Sequence, residues 1–362
     1  MTRSRTFRGA ILGAGNVAVH GHLPGWLARA NVAIVAAADP RTAGREALLT
    51  RLPRLAWYES AEELLERETL DFADVCAPPA MHAPLIAASL AKGLHVLCEK
   101  PLVLDPEQLP PLAELARAKD RVLATVHNWR HAPILAAAGE LVRQGAAGRI
   151  LSCRWETLRE RPAASAADGT ANWRVDPSIA GGGVLMDHGW HALYVIRGWL
   201  AQAPRRVAAR LSTRRYREWP IEDTAEVSLE FDGGARAEIF LTWAAEERRN
   251  RVSIEGTRGS IRLDGRILEL FASGSSGPSG RRVFPQSLSD GSHHPDWFGG
   301  AAADFLSEIE DPARRGALLE EASLCLQLTA LARESSRAGG EPLPLSREEP
   351  PAARARRRSL AT

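Results

Sequence analysis

The strongest constraint on the fold is the texture of the first 130 residues, where short apolar runs alternate with helix-forming stretches. The runs are Ala10–Leu12, Val32–Ala38, Phe72–Ala77, Val96–Leu97 and Val122–Val126. They are dense in Val, Ile, Leu and Ala and do not alternate with polar residues, which is the pattern of strands covered on both faces. Helix signals lie between them. Ser60 and Glu63 form a capping box ahead of Leu64 and Leu65, and Gly93 after Lys92 marks a helix C-terminus. Repeated strand–helix units with short connections predict a parallel, doubly wound sheet over residues 1–130. Pro110 and Pro111 fall where the helix after Asp105 should be running, so that helix is expected to be kinked or to start late.

Beyond residue 131 the pattern changes. Asp223–Phe231 and Ala235–Trp243 alternate apolar and polar residues on either side of Asp232-Gly233-Gly234, predicting an antiparallel hairpin. Arg251–Glu255 and Ser260–Leu263 continue as strands, and Ala301–Ile309 and Leu318–Ala332 as helices. Strands grouped apart from helices predict a second, α+β domain over residues 131–349. Residues 272–280 are expected to be a flexible surface loop, and 350–362 a disordered basic tail whose charges are simply solvated.

Composition removes several classes. Hydrophobic residues at 45% and charged residues at 25% describe a packed globular chain and exclude global disorder. No apolar window is long enough to span a bilayer, and Met1–Gly9 contains no apolar run of signal-peptide length. Cys76, Cys98, Cys153 and Cys325 are far apart, so neither a zinc ribbon nor a disulfide framework is expected, and the cytoplasm is the expected compartment. A net charge of +2 leaves no broad basic face for nucleic acid. Only Lys92, Lys100 and Lys119 among the 46 basic residues are lysines, which makes each lysine position a question in itself.

Three constellations carry chemistry. The first strand runs into Gly13-Ala14-Gly15-Asn16-Val17-Ala18, the pattern of a dinucleotide-binding turn. There the first glycine allows the bend, the second lets a pyrophosphate approach the backbone and the third position needs a small residue. Asp39 ends the next strand, where a carboxylate accepts the ribose hydroxyls of NAD and repels a 2′-phosphate. Arg41 nearby softens that preference, so NAD is expected with NADP as the alternative; Asp-Pro turn chemistry is the competing explanation for Asp39. Glu99-Lys100-Pro101 follows the Val96–Leu97 strand at its carboxyl end, where open parallel sheets bind ligands. An ammonium there can favour charge developing on a substrate oxygen.

Gly181–His191 carries a glycine run, then Asp187 and His191 four residues apart, hence on one helical face and suited to proton transfer. The glycines would let a ligand approach the backbone closely. His188 should point elsewhere on such a helix, leaving too few ligands for a metal, so none is expected. His293 and His294 either close a pocket or, the favoured reading, lie on a surface loop. Arg130, Arg159, Arg161 and Arg174 hint faintly at an anionic substrate group.

In this order, and above all through Lys92–Pro101 and Trp173–His191, the chain resembles the Gfo/Idh/MocA family of nicotinamide-dependent oxidoreductases up to about residue 345. The resemblance implies a Rossmann domain followed by an α/β domain with a large open, mainly antiparallel sheet, which associates face to face into a homodimer or homotetramer. It implies NAD(P)-dependent hydride transfer with a secondary alcohol of a sugar, polyol or sugar derivative, with no membrane or nucleic-acid partner. Lys100, Asp187 and His191 would be catalytic. Gly13, Gly15, Asn16, Val17, Asp39, Arg41, Pro78, His82, Glu99 and Lys100 would meet the cofactor. Asn128, Arg130, Trp173, Arg174, Asp187 and His191 would meet the substrate. The segment Ala77–His82 lacks the family's asparagine. Two further readings stay open: a glycoside-cleaving enzyme that uses the same site through transient oxidation, and a cofactor- or sugar-binding regulator without catalysis.

Overall fold

The computed structural model describes residues 5–164 and 172–346, so the predicted tail at 350–362 lies outside the described residues. Strands β1 (Phe7–Leu12), β2 (Val32–Ala38), β3 (Ala56–Tyr58), β4 (Phe72–Val75), β5 (His95–Cys98) and β6 (Leu123–Thr125) form a sheet in the order β3-β2-β1-β4-β5-β6. Every pairing in it is parallel. The chain leaves β1 for one side of the sheet and returns at β4 on the other, which opens a crevice at the carboxyl ends of β1 and β4. The edge strand β3 was not expected; three residues are too few to show a period.

Local signals behave largely as anticipated. The Ser60 hydroxyl accepts the Glu63 N–H at 3.1 Å, but the Glu63 carboxylate turns to Arg67, so only half of the capping box forms. The helix expected to start late does so: a one-turn helix, Pro106–Gln108, precedes Leu109–Ala118. Pro110 and Pro111 then occupy the first helical turn, where backbone N–H groups have no intrahelical acceptor and their loss costs little.

The second sheet has nine strands: β7 (Ile150–Leu158), β8 (Pro204–Ser212), β9 (Thr224–Phe231), β10 (Arg236–Thr242), β11 (Arg249–Gly256), β12 (Gly259–Asp264), β13 (Ile267–Ala272), β14 (Gly280–Val283) and β15 (Leu343–Pro344). Their order is β14-β13-β12-β11-β7-β10-β9-β8-β15. Only β7 and β10 run parallel. The expected hairpin pairs β9 with β10 from Thr224↔Thr242 to Glu230↔Arg236. Val227, Leu229, Ile239 and Leu241 face the core, and Glu226, Glu230, Arg236 and Glu238 face outward. Helices Pro133–Arg143, Trp190–Leu200 and Ala317–Arg337 cover the inner face.

A division near residue 130 separates the two sheets, yet the packing crosses it. Helix Pro295–Glu310 belongs to the later half of the chain but puts Phe298, Ala302 and Phe305 into one cluster with Ile11, Trp26 and Phe72 of the first. The Phe72 and Phe305 rings lie 5.8 Å apart, and each fully buried aromatic of this kind contributes about 1.5–3 kcal/mol through removal from water. The floor of the crevice is therefore held from both halves of the chain. The four cysteines are free and buried, and no helix among the described residues is long and apolar enough to cross a membrane.

Candidate active site

At the end of β1, Gly13 takes φ +96°, and an added Cβ would stand 2.5 Å from the Ala77 nitrogen, so only glycine fits. Gly15 differs: a Cβ there would meet nothing within 4 Å, which means that side of the turn is open. Ala18 is fully buried, as the small third position requires. Asp39 Oδ2 accepts the Ala14 N–H and its Oδ1 accepts the Arg41 N–H, each at 2.8 Å. The carboxylate thus caps its own turn and braces the glycine loop together. The open backbone at Gly15 and the helix start behind it, which offer N–H donors, and the carboxylate at the end of β2, which accepts, are the groups a dinucleotide needs.

The segment after the turn contains a feature that sequence reading missed. Ala18–His22 forms a π-helical turn and delivers His22, almost wholly buried, beneath the crevice. Its Nδ1 lies 3.0 Å from both Asp74 oxygens, its Nε2 lies 3.0 Å from Glu99 Oε1, and Cys76 Sγ is 3.1 Å from Nδ1. Burial alone would depress His22, yet Asp74 and Cys76 raise its pKa well above the ordinary value. The imidazolium form can donate from both ring nitrogens, one to each carboxylate. The other Glu99 oxygen accepts the Lys100 N–H at 3.0 Å, so this network ties the glycine helix to the lysine loop. Nothing in the spacing of His22, Asp74 and Glu99 announces the contact; three separate strand–helix units bring them together.

Lys100, Asp187 and His191 converge on a cavity of about 390 Å³ that begins at Asn16 and Val17. Lys100 Nζ donates to Asp187 Oδ1 at 2.8 Å and to the Asp187 carbonyl at 2.6 Å, which leaves one of its three hydrogens for a ligand. Burial opposes ionisation of Asp187, but Lys100 beside it holds the carboxyl well below the usual range. His191 stacks on Trp129 at 4.6 Å, and its Nδ1 lies 2.9 Å from the Tyr194 hydroxyl, whose oxygen also accepts the Trp129 N–H. Burial first, then the charge of Lys100, keeps the His191 pKa well below normal, so the ring is neutral near pH 7. Its Nε2 has no hydrogen-bond partner among the described residues.

Other expected site residues divide. Asn128, Trp173, Arg174 and Glu99 line the cavity. Arg130 does not: it ion-pairs with Glu321 and lies over the Tyr194 ring. Asp39 and Arg41 stand beside the glycine turn, outside the cavity wall, with the Arg41 side chain half exposed. Pro78 leads into the short helix Pro79–Met81, and its neighbours Ala77 and Pro79 line the wall while it does not. His82 reaches the wall, but its ring nitrogens face the Pro101 carbonyl at 2.7 Å and the Ala77 carbonyl at 2.8 Å, fastening two loops.

Three expectations are corrected. His188 does not point away: Leu185–Gly189 is a second π-helical turn, whose looser winding presents His188 to the cavity with Asp187. Its Nε2 lies 3.5 Å from Asp187 Oδ2, and burial pushes its pKa down to about 3. The glycine run serves protein packing, since a Cβ on Gly183 would lie 1.8 Å from the Glu222 carbonyl. His293 and His294 also belong to the cavity, His294 buried against Trp297 with ring centroids 3.5 Å apart. Arg248, which no spacing singled out, joins them.

Comparison with known proteins agrees with this architecture. Residues 7–127 match the model of an oxidoreductase family with an NAD-binding Rossmann fold, and residues 135–262 match the GFO/IDH/MocA C-terminal domain. Among curated proteins, a levoglucosan dehydrogenase of Pseudarthrobacter phenanthrenivorans is 28% identical over 72% of each chain. A dTDP-3,4-didehydro-2,6-dideoxy-alpha-D-glucose 3-reductase of Streptomyces antibioticus is 30% identical, covering 72% of this chain and 76% of the relative. Among solved structures, levoglucosan dehydrogenase in complex with NADH superposes with TM-score 0.79 at 22% identity, covering 94% of this chain and all of that one. GenD2 from gentamicin A biosynthesis, in complex with NAD, gives 0.79 at 24% identity over 94% of this chain and 97% of the other.

Proposed function

This chain belongs to the Gfo/Idh/MocA family of NAD-binding oxidoreductases, and from that membership we propose that it oxidises a secondary alcohol of a sugar or polyol, reversibly, through Lys100, Asp187 and His191. The observation that carries the reading is the convergence of a lysine ammonium, an ionised carboxylate and a neutral imidazole on one cavity that opens beside the glycine turn. Bound NAD supplies the hydride acceptor. In the neutral ring Nδ1 carries the hydrogen and donates it to the Tyr194 oxygen, which has lone pairs for both His191 and Trp129; that leaves Nε2 as the base that takes the hydroxyl proton, and the imidazolium so formed keeps its bond to Tyr194. The remaining Lys100 hydrogen bonds the substrate oxygen as negative charge grows on it, and Asp187 holds that ammonium in place. The Asp187 oxygen not engaged by Lys100, 3.5 Å from His188 Nε2, has a lone pair left to accept from a neighbouring substrate hydroxyl.

Asp39 favours NAD over NADP because a second anion beside its carboxylate is repelled. The outer face of the second sheet, with paired charges such as Arg154–Glu156 and Arg251–Glu156, is the surface for association into a homodimer or homotetramer. A panel of sugars and polyols, read by NADH absorbance with wild type and His191→Ala, tests the assignment. Turnover of a sugar alcohol by wild type and its near-complete loss in the variant is expected; comparable turnover in both removes His191 from the chemistry.

A further inference from the structure

The cavity wall formed by the second domain holds more positive charge than the reaction requires. Among the described residues, Arg159, Arg161, Arg174 and Arg248 line it together with Lys100, against the carboxylates of Asp187 and Glu99. Both carboxylates are already engaged, Asp187 by Lys100 and Glu99 by His22. Among the described residues none of the four arginines meets a carboxylate at ion-pair distance, whereas Arg249 and Arg251, immediately beside Arg248, are paired with Asp264 and Glu247.

Arg159 is the sharpest case. It follows directly on β7 and is only 2% exposed. Its guanidinium donates to the Leu158 and Arg249 carbonyls and to Asn250 Oδ1, and its buried Nε–H has no partner. Arg248 precedes β11, the strand paired with β7, so the two guanidinium groups rise from the same end of neighbouring strands. Arg248 is anchored to neutral groups, through its Nε to the Ser289 carbonyl at 2.6 Å and through a terminal nitrogen to the Gly291 carbonyl and the Ser292 hydroxyl. Burial weakens the Arg159 guanidinium to a pKa of about 9, and Arg159 and Arg248 act electrostatically on His188 and Asp187. These arginines therefore belong to the Asp187 end of the cavity, on the other sheet from the glycine turn that serves the cofactor phosphates.

A buried cation without a counter-charge is costly, and arginine's planar fork matches carboxylate and phosphate oxygens. We propose that the substrate is an anionic sugar derivative, one carrying a carboxylate or phosphate group that Arg159 and Arg248 receive, with Arg161 and Arg174 at the mouth. This deepens the reading of the site as a sugar oxidoreductase and rests on it. The test compares D-glucose, D-glucuronate and glucose monophosphate on the NAD-loaded enzyme by calorimetry and, in parallel, by NADH formation. At least one anion is expected to bind about tenfold or more tightly than glucose, as one or more charge-assisted hydrogen bonds provide. Glucuronate and the phosphate ester separate the two sources of the anion.

In Arg248→Gln and Arg161→Gln, which alter exposed side chains and so spare the core, that preference should collapse towards unity; Arg159→Gln should remove it altogether if it folds. Equal binding of glucose and both anions, or a preference untouched by the Arg248 and Arg161 variants, overturns the proposal. Anion binding that depends on these arginines without NADH from any sugar instead leaves the anion site standing and overturns the hydride-transfer reading.

Discussion

The two ends of the cleft are built on different principles. At the glycine turn, recognition is local and mostly backbone: Gly13 at positive φ, open space beside Gly15 and one carboxylate bracing the loop. At the far end the wall consists of side chains that follow β5, sit on the π turn at Leu185–Gly189 and lie beyond the ends of β7 and β11, segments far apart in sequence. The contrast teaches where each kind of specificity resides. A constant ligand part such as a pyrophosphate is met by peptide groups that any sequence provides once the bend is allowed. A variable substrate is met by side chains that can change without disturbing the turn.

That division can be broken by mutation. His191→Ala should cut turnover by about 10²–10⁴-fold, the usual loss of a general acid–base group, while the dissociation constant for NADH, read by fluorescence titration, stays within about twofold. A parallel loss of NADH affinity would mean the two ends are not separable. Lys100→Arg keeps the charge but replaces a compact ammonium held by Asp187 with a wider fork, and turnover should fall about 10²–10³-fold. Activity within a few-fold of wild type would place Lys100 outside the chemistry. At the other end, Asp39→Ser should shift the ratio of NAD to NADP efficiency about tenfold towards NADP without changing the order of sugars accepted. A changed sugar order would couple the ends.

The pH effects are smaller and have opposite signs. His191 titrates well below 6.5, so kcat/KM for oxidation should be level with respect to this group through neutrality and fall only in more acidic solution, where the base gains its proton. An acid limb centred at or above pH 6.5 and lost in His191→Ala contradicts that. His22 is raised well above its ordinary value. Its imidazolium therefore adds stability that is complete below the unfolded value of about 6.5 and is lost as pH rises through the folded value. The melting temperature of wild type should decline over that alkaline range, and His22→Asn should flatten the decline; an unchanged slope would show that the Asp74–His22–Glu99 link does not depend on the proton.

Much of this was legible in residues 7–127 because a parallel sheet covered on both faces writes itself as unbroken apolar runs, and because the turn after β1 must be glycine for steric reasons. Lys100, Asp187 and His191 could be picked out because each sits next to a local signal, an E-K-P turn or an i, i+4 spacing. The three-residue strand β3 and the role of Gly183 against Glu222 were hidden, the first by its length and the second because a glycine's neighbour is a tertiary fact. Arg130 and His188 exchanged places between expectation and structure for related reasons. Arg130 found Glu321, nearly two hundred residues away, and His188 was turned into the cavity by a π turn that a 3.6-residue period does not anticipate.

By itself, then, the sequence determined the class of sheet and the bend for a dinucleotide and singled out Lys100, Asp187 and His191, all through residues close together in the chain. Only the tertiary structure decided which charges are left without partners. Arg159 and Arg248 look like any other arginines in a chain whose basic residues are nearly all arginine. They stand apart because the pairing of β7 with β11 sets them side by side on a wall where, among the described residues, the carboxylates of Asp187 and Glu99 are already engaged. Whether a charge has a partner depends on distances through space, and those exist only once the chain has folded.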